Sequence, residues 1–215
     1  TQSTDKMRIT KFVHSCFLVE TPERIGLFNP GVYSAEALDL DAISKLDDIL
    51  ITHVHVDHFS PELVQKILQK FPDVRITSTP DVVEALSKLG ITAIDQPSEG
   101  IELFEAPHES IDPFDVTPFN YGINYLGLLT DPGDSHSFTQ TKEILALPVQ
   151  APWGATIRAI NLAMELKPKY VLPIHDWHWN DKARGWVYEK YEDKLAEKGI
   201  KFIKLETGVP VEIDI

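Results

Sequence analysis

Four side chains able to bind a metal fall within six consecutive positions, His53-Val54-His55-Val56-Asp57-His58, where the chain changes from strand to helix. Ahead of them Ile49-Leu50-Ile51 has the unbroken apolar pattern of a short buried strand. Behind them Ser60 suits a helix cap and Pro61 the first helical position, and Leu63, Val64, Ile67, Leu68 and Phe71 share one helical face. If the backbone stays extended past the strand, His53, His55 and Asp57 project to one side. A turn before Ser60 brings His58 back toward them. Imidazole nitrogen and carboxylate oxygen suit zinc and similar divalent ions. Without a cation, four polar groups crowded after a buried strand would be costly. The pattern therefore predicts a metal site at a strand-to-helix junction.

Around this junction the chain reads as α/β. Strands are expected at residues 7–13, 16–20, 25–29, 74–78, 91–95, 101–106, 121–130, 144–147, 170–174, 201–205 and 209–213. Thr79-Pro80 opens a second helix with Val82, Val83, Leu86 and Leu89 inward and Gly90 as its stop. Further helices are expected at 157–166, before Pro168, and at 181–198, before Gly199. Strands come first, then a mixture, then helix and strand in alternation. Such a chain can bury sheets against each other with helices outside, although the order alone fits other α/β arrangements too.

The chain has 215 residues, 43% hydrophobic and 25% charged, which suits one globular domain over 1–215. Its net charge is -13, with lysines and arginines scattered, so a nucleic-acid backbone is not an expected partner. Apolar runs are far too short to cross a bilayer, and Thr1 to Lys6 is polar with no signal core. A cytoplasmic location is expected. Cys16 is the only cysteine, which rules out an intrachain disulfide and a four-cysteine zinc site.

The segment from His53 to His58 resembles the HxHxDH signature of the metallo-β-lactamase superfamily. The resemblance implies a four-layer αββα sandwich with two metals at one edge, and it asks for a His, an Asp and a His further on. His108 ends Glu105-Ala106-Pro107-His108, Gly133-Asp134-Ser135 resembles the family's Gly-Asp-Ser/Thr step, and His175 closes Val171-Leu172-Pro173-Ile174-His175. The family pattern then gives His53, His55 and His108 to one metal and Asp57, His58 and His175 to the other, with Asp134 between. Asp131 competes with Asp134, which is favoured by the Gly before it. His178 competes with His175, which is favoured because it ends a strand. The turn Val13-His14-Ser15-Cys16-Phe17 resembles that of the ascorbate-6-phosphate lactonase-like branch, where the His lies near the metals. Val13 and Asn29 stand where that branch has Gly and Asp. His14 as a plain turn residue is the alternative.

Asp176 and His178 are candidates to orient ligands. Trp153 falls where the fold places site loops and is a candidate pocket residue, as is the stretch around Trp177 and Trp179. The metals implied are two divalent ions, zinc foremost, with manganese or iron also fitting. They would make hydroxide available near neutral pH for attack on an ester, lactone or phosphodiester, and Asp57 would position the water or take its proton. The positive charge of such a core favours a small anionic substrate or an anionic transition state. A metal- or ligand-binding module without turnover is the alternative, motivated by Val13 and Asn29. Oligomeric state leaves no mark in the sequence.

Overall fold

The computed structural model describes residues 6–215, and the polar stretch before Lys6 lies outside the described residues. The chain is α/β; the described residues form two mixed six-stranded sheets and four α-helices, and the chain divides into two compact units. One unit takes the chain up to Gln96 together with Leu205–Ile215, and the other is Pro97–Lys204.

In the first unit β1 (Lys6–Lys11), β2 (Phe17–Glu20) and β3 (Ile25–Phe28) form an antiparallel meander. β4 (Asp48–Leu50) and β5 (Arg75–Thr77) then add parallel to β3. The last strand of the chain, labelled β12 (Val211–Asp214), pairs antiparallel with β1 and gives the order β12-β1-β2-β3-β4-β5. Helix α1 (Pro61–Lys70) crosses from β4 to β5, and α2 (Pro80–Ser87) follows β5. The Ser60 hydroxyl caps α1 by accepting from Leu63 N at 3.2 Å, and Pro61 holds the first position, as the sequence predicts. Leu63, Val64 and Ile67 of α1 and Val82 and Leu86 of α2 bury against Leu18, Leu27, Ile49 and Ile51 in one core cluster.

In the second unit β6 (Ile101–Glu105), β7 (Tyr121–Tyr125) and β8 (Leu129–Asp131) are antiparallel. β9 (Ile144–Pro148), β10 (Tyr170–Ile174) and β11 (Lys201–Phe202) continue in parallel. Crossovers run through α3 (Thr156–Leu166) and α4 (Asp181–Ala196). Ala159, Ile160 and Ala163 of α3 and Val187, Tyr188, Tyr191 and Leu195 of α4 share a core with Leu145, Leu147 and Val171.

Three expectations fail locally, each for a physical reason. Residues 121–130 are a hairpin and not one strand, because Leu126 and Gly127 take positive φ (54° and 68°) and Leu128 N bonds Tyr125 O at 3.0 Å. That is a primed turn, matched to strand twist, and leucine at its first position hides it from a sequence reading. The stretch 91–95 makes only a bridge from Ile94 to Thr77. Leu89 lies past the end of α2 and is exposed, since Ile91 N returns to Leu86 O and lifts the residues between out of the helix.

Strand direction positions the site. In the first unit β1, β3 and β4 run the same way, so the turns after them, carrying His14, Asn29 and His53, emerge at one edge of the sheet. In the second unit β6, β8, β9 and β10 run the same way, so His108, Asp134, Trp153 and His175 follow strand ends at one edge of that sheet. Parallel strands place loops at their carboxyl ends, where open α/β sheets collect ligands.

Two substitutions test this account. Asp48 is fully buried in β4 and accepts from Arg24 Nε at 2.8 Å, Arg24 Nη2 at 3.1 Å and Arg75 Nε at 2.7 Å. Asp48→Ala removes the shared acceptor of two arginines and is expected to cost about 3 kcal/mol in denaturant unfolding, the low end for a broken buried pair because water reaches both guanidinium groups. Leu126→Gly relieves the left-handed leucine and is expected to raise stability by about 0.5–1 kcal/mol, read as a higher Tm.

Candidate metal centre

In the first unit the cluster begins where β4 ends. His53 is fully buried, and its Nδ1 lies 3.1 Å from the Thr52 hydroxyl. His58 Nδ1 lies 3.4 Å from the same hydroxyl. Thr52 Oγ1 donates to Asn29 Oδ1 at 3.0 Å, so it can only accept from the two rings, which places their protons on Nδ1. The Nε2 atoms are then the ligand nitrogens. Asn29 Oδ1 also accepts from Thr52 N at 2.9 Å.

Asp57 Oδ2 lies 2.9 Å from His14 Nε2 and 3.5 Å from His58 Nε2. His14, Asp57 and His58 each turn one ligand atom into a common space, all within 4.8 Å of one another, and His53 and His55 do the same as a pair. His14, read as a possible turn residue, is thus buried against Asp57. Its ring also meets Tyr33 edge-on at 5.5 Å. The two strands of chain that build this corner are laced together: Val32 N bonds Val56 O at 2.8 Å and Ser60 N bonds Pro30 O at 3.0 Å. Gly31 sits at the crossing, where a Cβ would stand 2.0 Å from Asp57 O, so any side chain would push the Asp57 backbone away.

In the second unit Asp134 Oδ2 lies between two imidazoles, 3.4 Å from His108 Nε2 and 3.2 Å from His175 Nε2. Both rings are held at the other nitrogen by backbone carbonyls: His108 Nδ1 donates to Glu109 O at 2.6 Å and His175 Nδ1 to Gln150 O at 2.5 Å. The loop of Asp134 is braced on two sides. Asn120 donates to Ala106 O at 2.6 Å and Pro132 O at 2.8 Å and accepts from Asp134 N at 3.2 Å. Glu109 accepts from Ser137 Oγ at 2.7 Å, His136 N at 2.9 Å and Arg158 Nη2 at 3.1 Å. Burial opposes ionisation of Glu109, but these donors outweigh it and hold its carboxyl below the usual range.

The competing residues take other places. Asp131 ends β8 and accepts from Gly133 N at 2.9 Å, closing the turn before Asp134. Asp176 accepts from Arg184 Nε at 3.1 Å and from the Tyr188 hydroxyl, and so ties the end of β10 to α4. His178 stacks on His175 at 6.2 Å and is solvent-exposed. His136 donates through Nε2 to Pro148 O at 2.8 Å, and burial lowers its pKa below the ordinary histidine value. Trp153 meets His136, His175 and His108 edge-on at 5.1, 5.6 and 6.2 Å. Trp186 is exposed on α4. Cys16 is buried, which pushes its thiol up to about 12 and leaves it a core residue.

The backbone is strained where the ligands gather. Among the described residues five non-glycines have positive φ, and three of them are His14, Asn29 and His175. Such conformations persist only where surrounding bonds impose them, and they collect at functional sites. Sequence reading missed Thr52, Asn120, Glu109 and the two carbonyl acceptors. Thr52 and Glu109 lie directly beside ligands, which was the available signal; a backbone carbonyl leaves none. The donor set fits divalent metal ions: buried imidazoles fixed at Nδ1, each cluster joined by a carboxylate.

The comparisons agree with this. A model of the β-lactamase superfamily domain matches residues 8–175. Protein Rv0786c of Mycobacterium tuberculosis is 28% identical over 85% of this chain and 90% of its own length. A UPF0173 metal-dependent hydrolase of Nanoarchaeum equitans is 23% identical over 96% of this chain and 100% of its own. Among solved structures, Igni18, a metallo hydrolase of Ignicoccus hospitalis, has the same fold, with a TM-score of 0.73 at 20% identity over 98% of this chain and 99% of that one. With a family model matching residues 8–175 and His/Asp groups able to hold metal among the matched residues, the chain belongs to the metallo-β-lactamase superfamily.

Proposed function

We propose that this chain is one metal-dependent hydrolase domain over 1–215, acting on a small-molecule ester, lactone or phosphodiester. His53, His55 and His108 would hold one divalent ion and Asp57, His58 and His175 the other, with Asp134 shared. The observation that carries the reading is the way His53, His58, His108 and His175 are each held at Nδ1 by an oxygen, which leaves Nε2 as the nitrogen offered to a metal. Relatives named metal-dependent hydrolases support it. Zinc suits the His-rich set, and manganese or iron fits as well. The His14–Asp57 contact favours the lactonase-like branch, where a His of this turn lies by the metals. A cytoplasmic location and a substrate other than nucleic acid belong to the same reading, supported by the single cysteine and the net charge of -13; among the described residues no helix is long and apolar enough to cross a membrane.

Bound divalent ions would polarise the scissile carbonyl or phosphoryl group and acidify a water to a pKa of ~7. The chain's own part is placement and proton handling. Asp57, steadied at Oδ2 by His14 Nε2, orients the attacking water and takes its proton. The scissile bond to the leaving oxygen breaks, the water oxygen joins the acid product, and the leaving oxygen acquires a proton. The alternative, a module without turnover, rests on Asn29 and Val13. Asn29 makes the bonds that fix His53 and His58 through Thr52, so its presence does not favour that alternative.

Purified protein is expected to bind at least one divalent ion per chain with about micromolar affinity or better. Chelation should abolish hydrolysis, and zinc or manganese should restore it; less than one ion per chain by elemental analysis overturns the reading. Asp57→Ala should lower kcat/KM by about 10²–10⁴-fold across an ester, lactone and phosphodiester panel. Thr52→Val removes the common acceptor of two rings and should weaken metal affinity by about 10–100-fold by competition titration, with the fold intact by circular dichroism.

A further inference from the structure

We propose that the substrate is an uncharged carbonyl compound, an ester or lactone bearing an aromatic or apolar group, and that Trp153 is the side chain that selects it. This rests on the hydrolase reading above and narrows it.

The first observation is how Trp153 is held. Ala151 and Gly154 exchange two backbone bonds of 3.1 Å, so Pro152-Trp153 forms a two-residue loop after β9. A Cβ on Gly154 would stand 3.0 Å from the His136 ring, so the loop is seated directly on that imidazole. Gln150, immediately before the loop, supplies the carbonyl that orients His175. One stretch of backbone therefore sets both a candidate ligand and the indole. The indole lies 5.6 Å from His175 and 6.2 Å from His108 and is half-buried. His178 stacks on His175, and Trp177, 47% exposed, meets His178 edge-on at 5.4 Å. The ligands of this unit are thus bordered by aromatic rings.

The second observation is the charge around them. Residues 12–16, 29–34, 52–60, 106–110, 131–138, 149–156 and 174–180 carry every candidate ligand, and none of them is Lys or Arg. The two arginines that reach these segments in the second unit are engaged. Arg158 pairs with Glu109 at 3.1 Å, and Arg184 pairs with Asp176 at 3.1 Å and Asp181 at 2.8 Å. Recognition of a phosphate or carboxylate substituent calls for a guanidinium fork or an ammonium group. A net charge of -13 further disfavours the approach of anions. Aromatic rings supply instead a broad apolar contact surface. The anionic substrate expected from the metal charge alone is therefore replaced by a neutral one, with negative charge developing only as water adds to the carbonyl. In that reaction the acyl C–O bond breaks, the water oxygen bonds to the acyl carbon and the leaving oxygen takes a proton, so ester and water give acid and alcohol.

The test uses the zinc- or manganese-loaded full chain with dihydrocoumarin and p-nitrophenyl acetate against bis(p-nitrophenyl) phosphate. The neutral substrates should exceed the phosphodiester in kcat/KM by about 100-fold. Trp153→Ala should raise KM for dihydrocoumarin about tenfold, with kcat within about threefold and metal content unchanged, and Trp153→Phe should recover most of the loss. A preference for the phosphodiester, or an unchanged KM in a folded Trp153→Ala, overturns the proposal and leaves the hydrolase reading standing. No turnover of any of the three by the loaded protein counts against the hydrolase reading and removes this one with it.

Discussion

The hydroxyl of Thr52 stands at the carboxyl end of β4 and has one proton to give. It gives that proton to Asn29, and two imidazoles therefore find an acceptor there. From this single direction follow the tautomers of His53 and His58, the nitrogen each turns outward, and the need for residue 29 to approach in a left-handed conformation that asparagine tolerates better than most residues. The second unit reaches the same end without a side-chain hub, because carbonyls of Glu109 and Gln150 hold its two rings. Orientation of imidazole is thus fixed twice by different means. The backbone pays with positive φ at His14, Asn29 and His175.

Much of this was legible. The strand, the ligand cluster and the capped helix between residues 49 and 70 were readable because each has its own signature: an apolar run, alternating donors, and Ser-Pro at a helix start. The later ligand positions needed a family resemblance, since a lone His108 or His175 has no local pattern to set it apart from His136 or His178. The misread segments share a different cause. A leucine in a primed turn, a bridge of one residue and an apolar residue past a helix end are all decided by tertiary bonds that override local preference. Bracing groups such as Asn120 were hidden because a buried amide and an exposed one look alike in a sequence.

The distribution of charge also separates structure from function. Asp48, the most completely buried carboxylate of the first sheet, is neutralised by Arg24 and Arg75. In the second unit Glu109 and Asp176 take Arg158 and Arg184. Cations are spent on scaffold carboxylates, while Asp57 and Asp134 sit among imidazoles. A metal ion can enter between an imidazole and a carboxylate without breaking a salt bridge that the fold depends on.

The pairing of β12 with β1 has a consequence for how the chain is made. Lys6 and Glu212 meet across these strands although 206 residues separate them. At 5–20 residues per second a ribosome needs roughly 10–40 s to supply the second strand after the first. Through that interval β1 presents an open edge, the kind of surface on which nascent chains pair wrongly. Lys6 and Arg8, exposed on that strand, are charged side chains of the kind that blunt an open edge, and in the finished fold Lys6 pairs with Glu212.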